Sequence, residues 1–372
     1  MKILICIPCL MTGGTEIQTL NLVSALVDGG HTVKTVCYFE HSNDMVKRYE
    51  NAGSEVICLS ETGIRIYGWE SIIFLYKGLK RIVKSFKPDV AHVQYMAPGA
   101  LPIILLKILG VKQILATLHT FGDIYKNLWL IHFLQKYVLR AFTCITELAE
   151  KSFFETSQLY SESTALRRRN HFTIYNALPA SFKVSNNNRV CDNTITIGVV
   201  SRLEFIKGMD LVIPAFKKIL DQHGDTRLIV VGDGSLKEQM QQQAVQFECT
   251  SKVQWAGRQS QENLPGWYNQ MDIVLIPSRS EGFGLTAIEA MECGCVVVAS
   301  DIGGLPEVVK DKEVGLLHKP ESIDDISEKV LSLMESHDKL KQYSDAAKKY
   351  VGKFSLDNYT RLFNDMYSKL DK

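Results

Sequence analysis

The stretch Ser280-Glu281-Gly282-Phe283-Gly284-Leu285-Thr286-Ala287-Ile288-Glu289-Ala290-Met291 decides the fold. It follows a strand-like apolar run at 273–277 and carries a glycine-bearing turn into an apolar-faced helix. Glu281 lies in the turn, and Glu289 lies about two turns along the helix. The helix N-terminus between them presents unpaired backbone N–H groups and a positive dipole end. The stretch therefore predicts a strand-turn-helix unit that seats an anion beside two carboxylates.

A ligand that carries hydroxyls as well as phosphate suits such a seat, and nucleotide sugars are ligands of this kind. One alternative is an ordinary corner in which Glu281 acts as a capping acid, because Gly-rich turns are common. Another is hydrolysis by the two carboxylates. The separation of Glu281 and Glu289 along a helix, together with the phosphate seat, argues against hydrolysis.

The size and composition describe a globular protein with more than one domain. The chain has 372 residues, of which 46% are hydrophobic and 22% charged, and this leaves room for two cores. No apolar run reaches the ~18 residues of a membrane-spanning helix. The apolar start at 1–8 is too short for a signal peptide. We therefore expect a cytoplasmic protein.

Nine cysteines are scattered along the chain. Cys6 and Cys9 have the CxxC spacing that is found in redox and metal sites. They end a strand, however, whereas thiol-redox pairs usually open a helix. A zinc site would need a second close pair, and the spacing of Cys293 and Cys295 is wrong for one. We expect small buried side chains.

The net charge of +1 is unevenly distributed. Residues 1–186 carry 20 Lys and Arg against 14 Asp and Glu, and residues 187–372 carry 22 against 27. The first half is thus at +6 and the second at −5. This asymmetry suggests that the first half faces something anionic.

Strands and helices alternate in both halves of the chain. Strands are expected at 2–8, 31–38, 54–59, 89–93, 113–118, 195–200, 227–231, 253–255, 272–276 and 296–299. Helices are expected at 15–29, 72–86, 101–109, 210–220, 236–247 and about 322–335, 338–352 and 355–370. Continuous apolar strands separated by helices imply parallel sheets buried on both faces. The polar, turn-rich stretch near 176–194 is the predicted linker.

The fold class is therefore α/β, with two Rossmann-like, doubly wound parallel-sheet domains. We place the first domain at 1–182 and the second at 190–354. Such domains bind ligands at the carboxyl ends of their strands, here in the cleft between them.

In each half of the chain, a further turn follows the first strand. Met11-Thr12-Gly13-Gly14-Thr15-Glu16 opens the first helix, and its glycines allow close backbone approach to a phosphate. It is not the G-x-G-x-x-G fingerprint, which argues against a dehydrogenase. The second turn, at 201–208, contains Arg202 and Lys207, which can bind one diphosphate. Arg202 would bind it through its forked guanidinium, and Lys207 through the point charge of its ammonium. Solvated surface cations are the alternative.

Four other features stand at strand ends or nearby. His119 ends the strand at 113–118 and is a candidate for function, with His92 as its competitor. The turn at 232–234 is interpreted as architecture. A Gly-rich turn at 300–307 is expected to pack beside the Glu281 loop.

The helix at 72–86 combines an apolar face with a basic one. Its cations, with Lys87 just beyond, are Lys77, Lys80, Arg81, Lys84 and Lys87. This is the pattern of an interfacial helix on an anionic membrane, and 167–169, a run of three arginines, would add to that surface. The alternative is a helix that packs on the core and exposes a basic face to solvent.

These motifs, in this order and spacing, resemble the retaining glycosyltransferases of family 4 (glycosyl transferases group 1), which have the two-domain GT-B fold. The resemblance covers nearly the whole chain: GGTE, the strand-end His-Thr, SRLEFIKG, GDG, SEGFGLTAIEA and SDIGGLPE. It implies that the helix at 355–372 crosses back to the first domain.

The resemblance also implies roles for individual residues. Arg202 and Lys207 would hold the donor diphosphate, Glu289 the ribose hydroxyls and Glu281 the donor sugar. His119 would contact the sugar at the reaction centre. Donor-binding residues would further include Gly14, Thr15, Arg258, Gly282, Phe283, Gly284 and Leu285. No metal and no cofactor is expected, because Arg and Lys take the place of a divalent ion.

The implied reaction transfers a sugar from a UDP- or GDP-linked donor, with retained anomeric configuration, to a glycan or lipid-linked acceptor. Such an enzyme would serve cell-surface polysaccharide or lipopolysaccharide synthesis, in the cytoplasm or peripherally on the inner face of the plasma membrane. Nucleic acid is not an expected partner. Open alternatives are another GT-B enzyme, such as a nucleotide-sugar 2-epimerase, and a non-catalytic sugar-nucleotide-binding protein.

Overall fold

A computed structural model describes residues 1–94, 100–122, 128–164, 166, 169–182, 184 and 194–370. The chain forms two compact units, one of residues 1–179 with 356–372 and the other of residues 180–355. Within the described residues, no helix combines the length and apolarity needed to cross a membrane. Most of the predicted linker, residues 183 and 185–193, lies outside the described residues.

Unit 1 is built on a parallel seven-stranded sheet with the order β3-β2-β1-β4-β5-β6-β7. The strands are β1 (Lys2–Ile7), β2 (Thr32–Cys37), β3 (Glu55–Cys58), β4 (Val90–Gln94), β5 (Gln113–Leu118), β6 (Ala141–Cys144) and β7 (His171–Thr173). Because β1 lies between β2 and β4, Ile5 is flanked by Thr35 and His92. All of β4 is buried, and so is β1 apart from its first residue, Lys2, as a sheet covered on both faces requires.

The helices of unit 1 cover both faces of this sheet. They are α1 (Gly14–Asp28), α2 (Asn43–Asn51), α3 (Gly68–Phe86), α4 (Ala100–Ile108), α5 (Trp129–Tyr137), α6 (Glu147–Phe154) and α14 (Leu356–Ser368). Helices α3 to α6 contribute to one apolar cluster, and α1, α2 and α14 contribute to the other. The C-terminal helix α14 thus packs on α1, through Tyr359, Phe363 and Met366.

Unit 2 repeats the design with a parallel six-stranded sheet of order β10-β9-β8-β11-β12-β13. The strands are β8 (Ile195–Val200), β9 (Thr226–Val231), β10 (Val253–Gly257), β11 (Ile273–Ile276), β12 (Val296–Ser300) and β13 (Gly315–His318). Its helices are α7 (Val212–Gln222), α8 (Lys237–Gln246), α9 (Leu264–Tyr268), α10 (Leu285–Glu292), α11 (Leu305–Val308), α12 (Ile323–Met334) and α13 (His337–Val351).

The α/β prediction of two doubly wound parallel sheets is confirmed. In each sheet the strand order reverses at one point, between β1 and β4 and between β8 and β11. Crevices at the carboxyl ends of such strands are where doubly wound folds bind ligands.

Helix α3 does not present its apolar face to the surroundings. Leu75, Leu79, Ile82 and Phe86 are buried in the core, because a crossover helix must cover the sheet beneath it. The interpretation of this face as membrane-embedded is therefore wrong. The five predicted cations, four on α3 together with Lys87, remain exposed.

Candidate active site

The switch point of unit 2 brings together two predicted segments. The loop at 201–208 leaves β8, and the loop at 277–284 leaves the adjacent strand β11. Both loops therefore lie at the carboxyl edge of the same sheet. Gly208 has a φ of 68°, and a Cβ there would lie 1.9 Å from the carbonyl oxygen of Pro277. The close backbone approach of the two loops thus depends on this glycine.

Lys207 and Glu281 form an ion pair across these loops. The Lys207 Nζ donates to Oε2 of Glu281 at 2.7 Å, and both side chains are about one-fifth exposed. A cation and a carboxylate are thus held together at the switch point. There Lys207 can bind a diphosphate in place of Glu281, and Glu281 can bind a sugar hydroxyl in place of Lys207. Their sequence separation of 74 residues shows how the fold assembles the pair.

Arg279 fastens the Lys207 loop to the Glu281 loop. Its guanidinium forms two hydrogen bonds with the carboxylate of Asp210 (2.7 and 2.9 Å) and one with the carbonyl of Phe205 (2.6 Å). It also lies 3.7 Å from the centre of the Phe205 ring. The backbone N–H of Arg279 donates to the carbonyl of Ile206 at 2.9 Å. Lys207 is therefore flanked on both sides by anchored residues.

Two glycine turns support the same edge. A Cβ on Gly232 would lie 1.8 Å from the carbonyl oxygen of Ser201, so the 232–234 turn packs directly on the 201–208 loop. A Cβ on Gly303 would lie 2.1 Å from the carbonyl oxygen of Glu281. The N–H of Gly304 donates to that oxygen at 3.0 Å. The predicted packing of the 300–307 turn beside the Glu281 loop is confirmed.

Glu289 lies on α10 and is buried. Its Oε2 accepts a hydrogen bond from the hydroxyl of Tyr268 at 3.0 Å. Burial raises the pKa of Glu289 to about 7, although hydrogen bonds from Tyr268 and Gln261 oppose the shift. A carboxyl group that is half ionised near neutrality can accept hydrogen bonds from a ligand diol.

The other predicted donor-binding residues of unit 2 occupy different environments. Gly284, with a φ of 101°, caps the N-terminus of α10 without a side-chain cap, and Leu285 begins the helix. Phe283 is buried against Phe354, so its backbone, and not its ring, is the part left for a ligand. Arg202 and Arg258 are exposed, just beyond the ends of β8 and β10.

The predicted residues of unit 1 lie at the carboxyl edge of its sheet. Gly14 is exposed at the start of α1, and the carbonyl of Thr15 accepts a hydrogen bond from the hydroxyl of Thr19. Glu16 is buried beneath the turn, where the Cys9 thiol donates to its Oε1 at 3.0 Å. Burial raises the pKa of Cys6 and of Cys9 to about 12. Both thiols are thus protonated, which argues against a redox pair.

The two candidate histidines have separate environments. His92 is fully buried and bonds the hydroxyls of Tyr367 (2.8 Å) and Thr117 (2.7 Å), so it ties α14 to the sheet. His119 is 9% exposed, and its Nε2 bonds Oε1 of Gln94 at 3.0 Å. Burial lowers the pKa of both histidines to about 3. His119 is therefore neutral at pH 7 and offers a ligand hydrogen bonding without charge.

A cavity of about 930 Å³ lies at the opposite edge of unit 2. Its lining includes Ile195, Val253 and Val296, the first residues of three strands. None of the predicted site residues lines it. Across the described parts of the chain, no three His, Cys, Asp or Glu side chains are grouped to hold a metal ion. Metal-free transfer stays a prediction.

Two family profiles match the chain. The one described as "Glycosyltransferase Family 4" matches residues 12–151, and the one described as "Glycosyl transferases group 1" matches residues 182–350. The chain belongs to the family 4 glycosyltransferases. It is therefore an enzyme of the sugar-transferring class.

This glycosyltransferase is similar to proteins from several organisms. It is 26% identical over 362 residues to the uncharacterized glycosyltransferase MJ1178 of Methanocaldococcus jannaschii, covering 96% of this chain and 95% of the relative. It is 23% identical over 332 residues to the phosphatidylinositol N-acetylglucosaminyltransferase gpi3 subunit of Schizosaccharomyces pombe, covering 87% and 70%. The crystal structure of Anabaena Alr3699/HepE with UDP and glucose aligns with a TM-score of 0.77, 18% identity and 99% coverage of both chains. That last likeness shows the fold alone.

Sequence reasoning missed several residues that contact the predicted site residues of each unit. Arg279 and Asp210 carry no motif signal of their own, although Arg279 immediately precedes the Glu281 turn. Tyr268 lies on the five-residue helix α9, which was not predicted. Gln94 is the last residue of β4 and so shares the strand-end position that singled out His119.

Proposed function

We propose that this glycosyltransferase transfers a sugar from a nucleoside diphosphate sugar, with retained anomeric configuration, to a glycan or lipid-linked acceptor of cell-surface polysaccharide or lipopolysaccharide. The observation that carries the proposal is the Lys207–Glu281 ion pair at the switch point of unit 2. The Anabaena neighbour contains UDP and glucose, which supports a UDP-linked donor, with GDP as the other candidate base.

In the proposed reaction the bond between the anomeric carbon and the diphosphate breaks. Arg202 and Lys207 neutralise the negative charge that develops on the leaving diphosphate, which lowers the barrier electrostatically. The acceptor hydroxyl attacks from the leaving-group face and passes its proton to a donor phosphate oxygen. The nucleoside diphosphate leaves, and the new glycosidic bond keeps the configuration of the donor.

The remaining side chains bind and orient the donor. When the donor binds, the ammonium of Lys207 moves from Glu281 to the diphosphate. The carboxylate of Glu281 then accepts a hydrogen bond from a hydroxyl of the donor sugar. Glu289, held by Tyr268, accepts from the ribose hydroxyls, and the start of α10 faces the phosphates. Neutral His119 bonds a sugar hydroxyl. Lys207 and Glu281 therefore belong to the binding site as well as to the chemistry.

A lipid-linked acceptor places the reaction at an anionic membrane surface, on the inner face of the plasma membrane. Support comes from the exposed cations of α3 and from a relative whose name specifies a phosphatidylinositol acceptor. The excess of cations in residues 1–186 points the same way.

Donor hydrolysis in the absence of acceptor tests the proposal. Proton NMR would follow UDP-, GDP- and ADP-sugars for a released sugar and for the anomer formed first. We expect slow release from one donor, with retained configuration, and loss of release in Lys207→Ala and Glu281→Ala. Lys339→Ala is the matched control, because Lys339 of α13 also forms an ion pair, with Glu335 at 3.0 Å, but neither residue belongs to the loops that carry Lys207 and Glu281.

Other outcomes would contradict the proposal in distinguishable ways. Release of the inverted anomer would exclude retention. A 2-epimerised product would favour the epimerase alternative. Binding of a donor, seen as a raised melting temperature, without turnover in the presence or absence of candidate acceptors would favour a non-catalytic sugar-nucleotide-binding protein.

A further inference from the structure

Helix α5 of unit 1 carries an aromatic ridge on its outer side. Trp129, Phe133 and Tyr137 recur every four residues and so share one face of the helix. Their ring centres are 5.6 and 5.1 Å apart, and the side chains are 66%, 43% and 63% exposed. The inner side of α5 is already used, because Ile131 and Leu134 are buried in the core. The ridge is thus a second apolar face with no role in covering the sheet.

The first turn of α3 adds further aromatic surface. Tyr67 and Trp69 are 76% and 82% exposed, and Ile73 one turn later is exposed too. Helix α3 packs against α4, and α4 packs against α5, on the same face of the sheet. Each of these helices follows a strand of one parallel sheet, so all three begin at its carboxyl edge. Trp69 and Trp129, at the starts of α3 and α5, therefore flank α4 at the edge where His119 follows β5.

The charged residues of these three helices are almost all cations. Four of the cations lie on α3, one on α4 and one on α5: Lys77, Lys80, Arg81, Lys84, Lys107 and Lys136. All six are exposed, and the single carboxylate on the three helices is Glu70. Among the ion pairs between described residues, none involves these six cations. This charge is complementary to an anionic surface.

We propose that the outer surface of α3, α4 and α5 docks on an anionic lipid bilayer, with the aromatic ridge and Trp69 entering the headgroup region and the six cations meeting lipid phosphates. Tyr and Trp rings prefer this region because they are apolar with a polar tip. Basic residues add attraction to anionic headgroups. This docking surface rests on the proposed lipid-linked acceptor, which lies in a membrane. The surface is the outer side of three helices and not the apolar face of α3, which is buried in the core.

The two kinds of contact differ in their response to salt. Coulombic attraction between exposed lysines and lipid weakens as ionic strength rises, because the Debye length falls to about 8 Å at ~0.15 M salt. Insertion of rings into the headgroup region is not screened in this way. The cations therefore supply the salt-sensitive part of binding, and the aromatic ridge supplies the part that survives physiological salt.

Vesicle cosedimentation of the full chain tests the proposal. The probes are vesicles of phosphatidylcholine with about a third phosphatidylglycerol, and vesicles of phosphatidylcholine alone. We expect the wild type to bind the anionic vesicles at low salt and, more weakly, at ~0.15 M salt. Replacing three cations (Lys77→Glu, Lys80→Glu and Lys84→Glu) should weaken low-salt binding by at least about tenfold, since each exchange removes one attraction and adds a repulsion.

The ridge variant Trp129→Ser, Phe133→Ser, Tyr137→Ser should retain most low-salt binding and lose about tenfold or more at ~0.15 M salt. Matched controls leave the surface intact. Leu159→Ser with Val245→Ser removes exposed apolar side chains elsewhere, and Lys341→Glu with Lys349→Glu reverses exposed cations of α13. Both controls should bind as the wild type does.

Donor hydrolysis and size-exclusion chromatography accompany each variant. Retained hydrolysis with lost vesicle binding supports the docking surface and shows that the variant is folded. If the wild type ignores anionic vesicles, or the ridge and cation variants bind as it does, the proposal is overturned while the transferase proposal stands. A wild-type dimer that the ridge variant converts to a monomer, without vesicle binding, would assign the surface to self-association and also overturn it.

Discussion

Arg279 and Asp210, which are 69 positions apart in the sequence, form a two-pronged ion pair with distances of 2.7 and 2.9 Å. The Arg279 side chain is 12% exposed and that of Asp210 20%, so the pair is largely shielded from water. The same guanidinium covers the ring of Phe205. This pair holds the loop that carries Lys207 against the strand end that carries Glu281.

Arg279→Ala should therefore lower activity without removing any predicted donor contact. Loss of the guanidinium leaves the carboxylate of Asp210 without this partner and frees the Lys207 loop. We expect a loss of about 2 kcal/mol in the free energy of unfolding and a fall in donor hydrolysis on the order of tenfold or more. Urea unfolding and hydrolysis kinetics measure the two effects.

A double-mutant cycle with Asp210→Ala separates the pair from general destabilisation. The coupling energy should exceed about 1 kcal/mol, as for residues in one hydrogen-bonded network. Lys339→Ala, which breaks an exposed pair between Lys339 of α13 and Glu335 at the end of α12, should change neither stability nor hydrolysis appreciably. Additive effects of Arg279→Ala and Asp210→Ala would refute the positioning role.

His92 should make unit 1 sensitive to acid. Burial lowers its folded pKa to about 3 from 6.5, so the unfolded chain takes up a proton that the folded chain does not. Stability is thus full above pH 6.5 and is lost as the pH falls toward 3, by about 1.4 kcal/mol per pH unit. His119 contributes with the same sign.

Urea unfolding of wild type and His92→Gln at pH ~5 and ~7.5 checks this sign. The variant will be less stable at pH ~7.5, because the bonds to Tyr367 and Thr117 are weakened. Its loss of stability on acidification should nevertheless be smaller by about 2 kcal/mol. His337→Gln, at an exposed position, should keep the wild-type dependence. An unchanged acid dependence in His92→Gln would show that His92 is protonated in the folded chain.

Glu289 should make the protein less stable as the pH rises, which is the opposite of the effect of His92. Its folded pKa is raised from 4.5 to about 7, so its contribution to stability is full below pH 4.5 and is lost as the pH rises to about 7. The loss amounts to roughly 3 kcal/mol. In Glu289→Gln the free energy of unfolding should fall less between pH ~5 and ~8 than in the wild type. The exposed Glu328→Gln on α12 is the control.

Glu289→Gln should also change how the affinity for the donor depends on pH. If ionised Glu289 accepts from the ribose diol, affinity for the nucleoside diphosphate should rise with pH through about 7. Titration calorimetry with a UDP-sugar, whose esterified diphosphate does not titrate near neutrality, would show this rise in the wild type and its absence in Glu289→Gln. A pH-independent affinity in the wild type would remove Glu289 from the ribose contact.

The sequence predicted the elements whose hydrophobic pattern is decided locally. The buried strands Gln113–Leu118 and Ile195–Val200 coincide with their predicted bounds, because a continuous apolar run between turns has one interpretation. No element was predicted between 129 and 173, where the structure has α5, β6, α6 and β7. Helix α5 has nine residues, fewer than the roughly 11 to 18 over which a helical period can be recognised.

The site could be predicted only where a motif marked it. Lys207 and Glu281 were assigned from separate turns, but their direct contact depends on β8 and β11 being neighbours in the sheet. The role of α3 could not be decided either, since an apolar face suits a membrane and a core equally well. Its burial depends on the partner elements that the fold supplies.

Gly303 should be indispensable for the position of Glu281. Its φ is 57°, and a Cβ there would lie 2.1 Å from the carbonyl oxygen of Glu281, so alanine at this position must displace the Glu281 loop. Gly303→Ala should cost about 2–4 kcal/mol of stability and abolish donor hydrolysis. Gly110→Ala is a matched control, because Gly110 has a φ of 87° but nothing within 4 Å of a Cβ. It should cost about 1 kcal/mol for backbone strain and leave hydrolysis intact. Equal hydrolysis by the two variants would mean that the 300–307 turn does not hold Glu281 in its active position.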